Sequence, residues 1–386
     1  MRAGSSVADN TLAARAGCAE TSESRDGACR AISTGGGDAP GLNAVIRAIV
    51  LSAHTRGWQT YGIRRGYGGL LGDDGVMTLT PDKVRGITHL GGTILGTTNR
   101  GNPFRWAVTD PSGAQREVDR SDELVSAFNA SGFDALITIG GDGSLRIGYD
   151  LFRKGMPVVG VPKTIDNDVV GTLASFGFDT AVGTATEAID KLHSTTESHE
   201  RVMVVELMGR DAGWIALHSG IAATADVILL PEIPFDIDKV CAKIVAREQA
   251  GRRFSIVVVG EGARPLGGDA SLIERRAAGT VDRLGGMGSL VARAIGERTG
   301  KETRSLVLGH LQRGGSPTTF DRLLGLRFGA AAVRAVADGV FGVMIGYNPP
   351  HLTRVPLDEV IGRSKHVPLD SDTVLTAREL GISLGD

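Results

Sequence analysis

No run of about 18 apolar residues occurs in the 386-residue chain, so no membrane-spanning helix is expected. No block of basic residues stands out, and the formal net charge is −2. Affinity for nucleic acid through its phosphates is therefore not indicated. Cysteine is scarce. Cys18, Cys29 and Cys241 show no metal-like spacing, and so sparse and odd a count suits a reducing compartment, with all three read as packing or surface thiols. The opening residues lack a secretory apolar core, and their Asp and Glu argue against a mitochondrial transit peptide. Residues 1–28 are expected to be a disordered extension, and the location cytoplasmic. The dinucleotide fingerprint G-x-G-x-x-G with a distant acid is absent from the first glycine loop.

What the chain has in excess is glycine, 55 residues, about twice the usual share of ~7%. The excess clusters at the ends of apolar runs, where glycine lets backbone approach a ligand closely. Arginines stand singly beside glycine or histidine, as at Arg201, Arg210, Arg304 and Arg313, which suits a small anionic substrate rather than a polymer. The length is too great for one core and short for three, so two domains are expected.

From about residue 30 the chain alternates. ITIGGDG (137–143), PVVGVPK (157–163), VMVVELMGR (202–210), DVILLPE (226–232), SIVVVGEG (255–262) and SLVLGHLQRGG (305–315) read as parallel strands buried on both faces. NAVIRAIVLSAH, VGTATEAIDKL and RLLGLRFGAAAVRAV have the helical period, with Val45, Ile46, Ile49 and Val50 on one stripe. CRAIST has only Ile32 as a strong β-former, yet a strand is expected there because the loop after it needs an anchor. The pattern implies a doubly wound α/β fold with ligands at the carboxyl ends of the strands.

The motifs fall at those ends. STGGGDAPGLNAVIR (33–47) runs from a glycine loop into a helix, where the amides of Gly36 and Gly37 and the helix N-terminus favour an anion. In ITIGGDGSLRIG the glycines admit phosphate oxygens, and Asp142 can hold a bridging Mg²⁺. VPKTIDND (161–168) sets Asp166 and Asp168 two apart, and such close carboxylates need a metal, a proton or a cation. Phosphoryl transfer to an alcohol needs a carboxylate to take the hydroxyl proton. Asp166 is assigned that task, Asp168 orients the metal or supports Asp166, and Thr164 and Lys163 contact the transferred phosphoryl. Arg201 and Arg210 bound a strand of about 7 residues, roughly 23 Å. One of them is therefore structural, or one reaches across an oligomer interface. His310 and Arg313, beside glycines in GHLQRGG, suit a sugar phosphate, the arginine offering a bidentate fork.

GGGDAPGLNAVIR, GGDGS, PKTIDND, the SHER and MGR pair, and GHLQRGG occur in that order, and together they closely resemble the 6-phosphofructokinase family from about residue 30 to about 345. The resemblance implies two similar Rossmann-like doubly wound α/β domains with the active site in the cleft between them. By it, 29–177 plus 312–348 form the phosphoryl-donor domain and 178–311 plus 349–386 the fructose 6-phosphate domain. It implies a homodimer or homotetramer with sugar phosphate bound across the interface. Asp166 becomes the base for the 1-hydroxyl of fructose 6-phosphate, with Asp142 and Asp168 serving Mg²⁺. Thr164, Arg210 and Lys163 act on the transferring phosphoryl. Met208, Gly209, Glu261, His310 and Arg313 hold the sugar phosphate, and Arg201 and Arg304 reach the 6-phosphate of a neighbouring subunit's substrate. Gly37, Tyr67, Arg100, Gly141, Gly143 and Ser144 make the donor site, although many ATP users place an arginine one residue earlier than Arg100.

Two positions carry the donor choice. Pyrophosphate users in this family have aspartate where Gly143 stands and lysine where Lys163 stands, while typical ATP users have glycine at both. The Gly/Lys pair here leaves the nucleotide path open, so ATP is the expected donor and pyrophosphate the alternative. Leu51 stands where short bacterial members carry an effector-site arginine one turn after Arg47, which implies weak or absent control by nucleotide diphosphate or phosphoenolpyruvate. The tail after about 345 carries no legible chemistry.

Overall fold

CRAIST does form a strand, and its neighbours explain why. The computed structural model describes residues 28–72, 75–110, 113, 115–274 and 283–386, so the expected extension at 1–28 lies, but for its last residue, outside the described residues. Strand β1 (Cys29–Thr34) is buried throughout and pairs in parallel with β2 (Gln59–Ile63) on one side and β6 (Ala135–Gly140) on the other. Two flanking strands compensate for poor intrinsic β-propensity. Arg30, an awkward residue for a central strand, pairs with Asp134 at 2.9 Å and lies 4.1 Å from the Trp58 ring centroid. Cys29 is in a disulfide, which corrects the expectation that all three cysteines are thiols; Cys241 is a buried free thiol.

The chain divides into two units. The first comprises residues up to Thr164, Val169–Gly177 and Gly315–Arg363. Its seven-stranded sheet has the order β15-β14-β7-β6-β1-β2-β3, in which β3 is Val76–Leu79, β7 Val158–Pro162, β14 Val343–Asn348 and β15 His351–Pro356. The inner pairs are parallel, and β3 and β15 close the edges antiparallel. The sequence-based boundary gave 349–386 to the other domain, whereas β15 and the residues through Arg363 go with this one. A small hairpin, β4 (Trp106–Thr109) with β5 (Gln115–Val118), was not expected from the sequence. The helices Leu42–His54 and Thr319–Ala337 lie very close. A Cβ on Gly329 would stand 2.5 Å from the Val45 carbonyl oxygen, so only glycine permits that approach. Val45, Ile46, Ile49 and Val50 form the expected buried stripe.

The second unit comprises Ile165–Asp168, Phe178–Gly314 and Ser364–Asp386. Its four-stranded sheet is wholly parallel, in the order β13-β8-β10-β9, where β8 is Val202–Leu207, β9 Val227–Leu229, β10 Ser255–Gly260 and β13 Thr303–Val307. A two-stranded piece, β11 (Leu272–Glu274) with β12 (Arg283–Leu284), accompanies it. Strands β8 and β10 are buried along their length, as continuous apolar runs require. Strand β13 departs from the expectation of burial on both faces. Among the described residues it has β8 as its one neighbour, and Leu306 and Val307 are exposed. Among the described residues no helix is long and apolar enough to cross a membrane.

Candidate active site

In the first unit the strand order reverses at β1, with β2 on one side and β6 on the other. In open α/β sheets that is where a crevice forms at the carboxyl ends. Three adjacent strand ends meet there: β1 delivers Gly35–Gly37, β6 delivers Gly141–Ser144, and β7 delivers Lys163 and Thr164. The Gly35 amide donates to the Ile139 carbonyl at 3.0 Å, and the Lys163 amide to the Gly140 carbonyl at 2.9 Å. Glycine leaves room for the helix start at two of these positions. A Cβ on Gly35 would meet Ser144 Oγ at 2.6 Å, and one on Gly140 would meet Ser144 Cβ at 2.2 Å. The helix Asp142–Arg153 therefore starts hard against both strands, with its N-terminus turned to the loop and available to an anion.

Gly36 has φ +76°, its amide donates to the Thr98 carbonyl at 3.0 Å, and its carbonyl accepts from Thr97 Oγ1 at 2.6 Å. Segment 96–100 is thus laid along the first glycine loop, with Arg100 exposed at its end. Lys163 is nearly fully buried, and its ammonium donates to the Gly37 carbonyl. Thr164 is buried too, its carbonyl accepting from Ser175 Oγ at 2.7 Å. Gly143 differs from the packed glycines, since a Cβ built there meets nothing within 4 Å. Tyr67 is buried in a core cluster with Tyr61 and Phe128, and burial pushes its hydroxyl pKa up to about 12.

Asp142 is exposed, and its Oδ1 accepts from the Gly362 amide at 3.0 Å. Among the described residues no three His, Cys, Asp or Glu side chains gather as a metal cage. Mg²⁺ does not need one, because it is commonly held by one or two carboxylates with waters and the donor's phosphates. An accessible carboxylate at the start of a helix fits that role. Leu51 is packed partly buried against the core.

In the second unit Asp166 is 4% exposed and Asn167 equally buried. VPKTIDND is thus divided, Lys163 and Thr164 ending one unit's strand and 165–168 belonging to the other. Asn167 has φ +53° and Arg210 φ +52°, left-handed conformations that side-chain-bearing residues adopt at a cost. Beyond β8, the amides of Gly209 and Arg210 donate to Glu261 Oε1 at 3.3 and 3.0 Å. The Glu261 carboxyl is raised to about 7, chiefly by burial and also by the charge of Asp166, against the pull of the two amides and the Arg210 guanidinium. A Cβ on Gly262 would meet the Arg210 carbonyl oxygen at 2.0 Å, so glycine there admits the strained turn.

At the opposite end of β8, Arg201 and Arg304 converge. Both face Glu302 Oε1, from Nη2 atoms 3.7 and 3.0 Å away. The register Arg304↔Met203 places Arg304 on β13 two residues along from Arg201, which immediately precedes β8. Glu261 and Arg210 lie at the other end of that sheet, so the four do not form one cluster within the unit. His310, exposed, and Arg313 sit on the 3₁₀ turn Gly309–Arg313 that follows β13. Met208 is half-buried between β8 and Gly209.

Sequence reasoning missed the tail. Lys365 Nζ donates to Asn167 Oδ1 at 2.9 Å, and the Lys365 amide donates to the Asp168 carbonyl at 2.7 Å. Burial pulls the Lys365 ammonium down to about 8, against the opposing pull of Asp168. A lone lysine in GRSKHVPLD carries no periodicity or spacing that would have singled it out.

Residues 30–336 match the family described as Phosphofructokinase. The chain is 53% identical over 355 residues to an ATP-dependent 6-phosphofructokinase of Chloroflexus aurantiacus, covering 92% of this chain and 96% of that one. It is 49% identical to a pyrophosphate–fructose 6-phosphate 1-phosphotransferase of Amycolatopsis mediterranei, covering 87% and 95%. A Pichia pastoris phosphofructokinase crystal structure in the T-state matches with a TM-score of 0.73 and 31% identity, covering 93% of this chain and 37% of that longer one.

Proposed function

The chain belongs to the phosphofructokinase family, and from that premise we propose that it transfers the γ-phosphoryl group of ATP to the 1-hydroxyl of fructose 6-phosphate, the committing phosphorylation of glycolysis. The observation that carries the reading is a buried carboxylate, Asp166, in a chain 53% identical over 92% of its length to an ATP-dependent 6-phosphofructokinase. A carboxylate removed from water, and held in place by its backbone, is what a base for an alcohol proton requires.

Asp166 accepts the 1-hydroxyl proton as the oxygen attacks the γ-phosphorus. A bond forms between that oxygen and phosphorus, and the bond to the β–γ bridging oxygen breaks, its electron pair leaving with ADP. Fructose 1,6-bisphosphate, ADP and one proton result. Phosphoryl transfer depends chiefly on positioning and charge stabilisation. Lys163, Thr164 and Arg210 provide these at the transferred group, and the loop amides of Gly37, Gly141 and Gly143, with Ser144, line the donor path. Asp142, with Asp168, would hold Mg²⁺, which when bound neutralises charge on the donor's phosphates. Met208, Gly209, Glu261, His310 and Arg313 take the sugar phosphate. Arg201 and Arg304, being at the far end of the sheet, serve the 6-phosphate of a neighbouring subunit's substrate in a homodimer or homotetramer.

Pyrophosphate as donor is favoured by one observation, the Lys163 ammonium seated on the Gly37 carbonyl, where it would face a terminal phosphoryl. Gly143 weighs the other way, since nothing fills the space beside it. Purified enzyme assayed with fructose 6-phosphate at equal Mg²⁺ should turn over with ATP well above pyrophosphate. Asp166→Asn should cut kcat by about 10²–10⁴ with the fold intact. Turnover with pyrophosphate alone would reverse the donor assignment, and near-normal kcat in the Asp166 variant would remove its role as base.

A further inference from the structure

Residues 365–367 are each held by a hydrogen bond, to Trp214, Asp211 and Glu232 in turn. The Lys365 carbonyl accepts from Trp214 Nε1 at 2.8 Å, and His366 Nδ1 lies 3.1 Å from the Asp211 carbonyl oxygen. The Val367 amide donates to Glu232 Oε1 at 2.9 Å, the same oxygen that accepts from the Gly213 amide at 2.9 Å. The Lys365 ammonium stands 5.4 Å from the Trp214 ring centroid, within cation–π range. Backbone and stem of this lysine are therefore fixed before its head group is considered.

The fixed lysine takes hold of the catalytic loop at two points. Its amide holds the Asp168 carbonyl at 2.7 Å, and its ammonium holds Asn167 Oδ1 at 2.9 Å. Between them lies the Asn167 backbone at φ +53°, a conformation that persists only where the surroundings impose it. Asp166 immediately precedes this residue. The direction of its carboxylate follows from how the turn is held.

We propose that Lys365 is a positioning residue for the phosphoryl transfer: carried by the C-terminal tail, it clamps the Asn167–Asp168 turn and so fixes the orientation of Asp166. The inference rests on the reading of Asp166 as base. It assigns work to a segment in which the sequence shows none. Outer partners of this kind typically change activity by about 10- to 100-fold.

The test compares full-length Lys365→Met, Asn167→Gly, their double variant and Asp166→Asn, recording kcat, both KM values and Tm. Methionine keeps the stem and removes the charge and donors. Glycine tolerates the left-handed backbone and removes the acceptor, so it tests the clamp even if the lysine variant folds poorly. Each single variant should lower kcat by about 10- to 100-fold with KM for fructose 6-phosphate and ATP within about threefold. The double variant should be no worse than the poorer single one, because both remove the same bond. Lys365→Met with kcat within twofold of wild type, a change in KM alone, or losses that multiply in the double variant would each overturn the clamp. Asp166→Asn separates the two ideas. If that variant is inactive while Lys365→Met is normal, the clamp fails and the base stands; if Asp166→Asn is active, the base assignment fails first.

Discussion

At the residue scale, the donor question comes down to Gly143. Most glycines around the strand ends are forced by contact, and a side chain at Gly35 or Gly140 would collide with Ser144. Gly143 is not forced. Its φ lies outside the left-handed region, and a Cβ there would meet open space. The glycine therefore matters for what the empty space admits, and the fold does not require it. An aspartate in the first turn of the helix Asp142–Arg153 is even favoured by the helix dipole. Gly143→Asp should consequently fold with a Tm within about 3 °C of wild type, since a change of 1 kcal/mol moves Tm by only a few degrees. It should nonetheless lose ATP-supported turnover, because a carboxylate then faces the nucleotide's phosphates. Thermal melts and ATP-dependent product formation decide it, and retained ATP activity in a folded variant would refute the pairing of Gly143 with Lys163 as the donor determinant.

At the element scale, the ends of β8 and β10 set a charge against burial. Glu261 follows β10 and takes the amides of Gly209 and Arg210 that follow β8, so the parallel pairing of these strands fixes where it sits. Its carboxyl is raised from 4.5 to about 7, chiefly by burial. Between those values the folded chain keeps a proton that the unfolded chain has lost, so stability falls as pH rises from about 4.5 to 7 and then levels. The full effect of the shift is about 3 kcal/mol. Denaturant unfolding across that range should show Glu261→Gln gaining stability relative to wild type as pH rises; parallel curves would mean that Glu261 ionises normally. The same elements show what the sequence made legible. The continuous apolar runs of β6, β7 and β8 placed Asp142, Asp166 and Arg210 just past strand ends, because burial on both faces demands such runs. β13 was read as such a run from SLVL, but the strand is TRSLV and lies at a sheet edge, a position that depends on strand order. Tyr67, a donor-site residue by the resemblance alone, is buried in the core, and no local pattern marks it. Lys365 reaches Asn167 across 198 residues of chain, a pairing with no local trace.

At the scale of the whole molecule, the exposed flank of β13 is where the proposed assembly can be tested. Strands at sheet edges are ordinarily short, charged, bulged or covered. This one is short and carries Arg304, but it also exposes Val307 (50%) and Leu306 (38%), and Leu311 on the following 3₁₀ turn is 68% exposed. Leu290, on the helix Met287–Thr299 beside β13, is 45% exposed. Exposed apolar groups on neighbouring elements are a candidate association surface. Arg304 belongs to the same strand and Arg201 precedes its neighbour β8, so a second copy seated on this flank would bring its own sugar phosphate toward two arginines that Glu302 holds ready. The proposed assembly then has two linked consequences. Sedimentation should find the wild-type chain as a dimer or tetramer. Val307→Glu, which adds a charge at an exposed position with no place in the catalytic groups, should shift it toward monomer and raise KM for fructose 6-phosphate at least tenfold while KM for ATP stays near its original value. A monomeric wild type, or a monomeric variant that binds fructose 6-phosphate normally, would assign Arg201 and Arg304 to their own subunit, where Glu302 is the partner they already have.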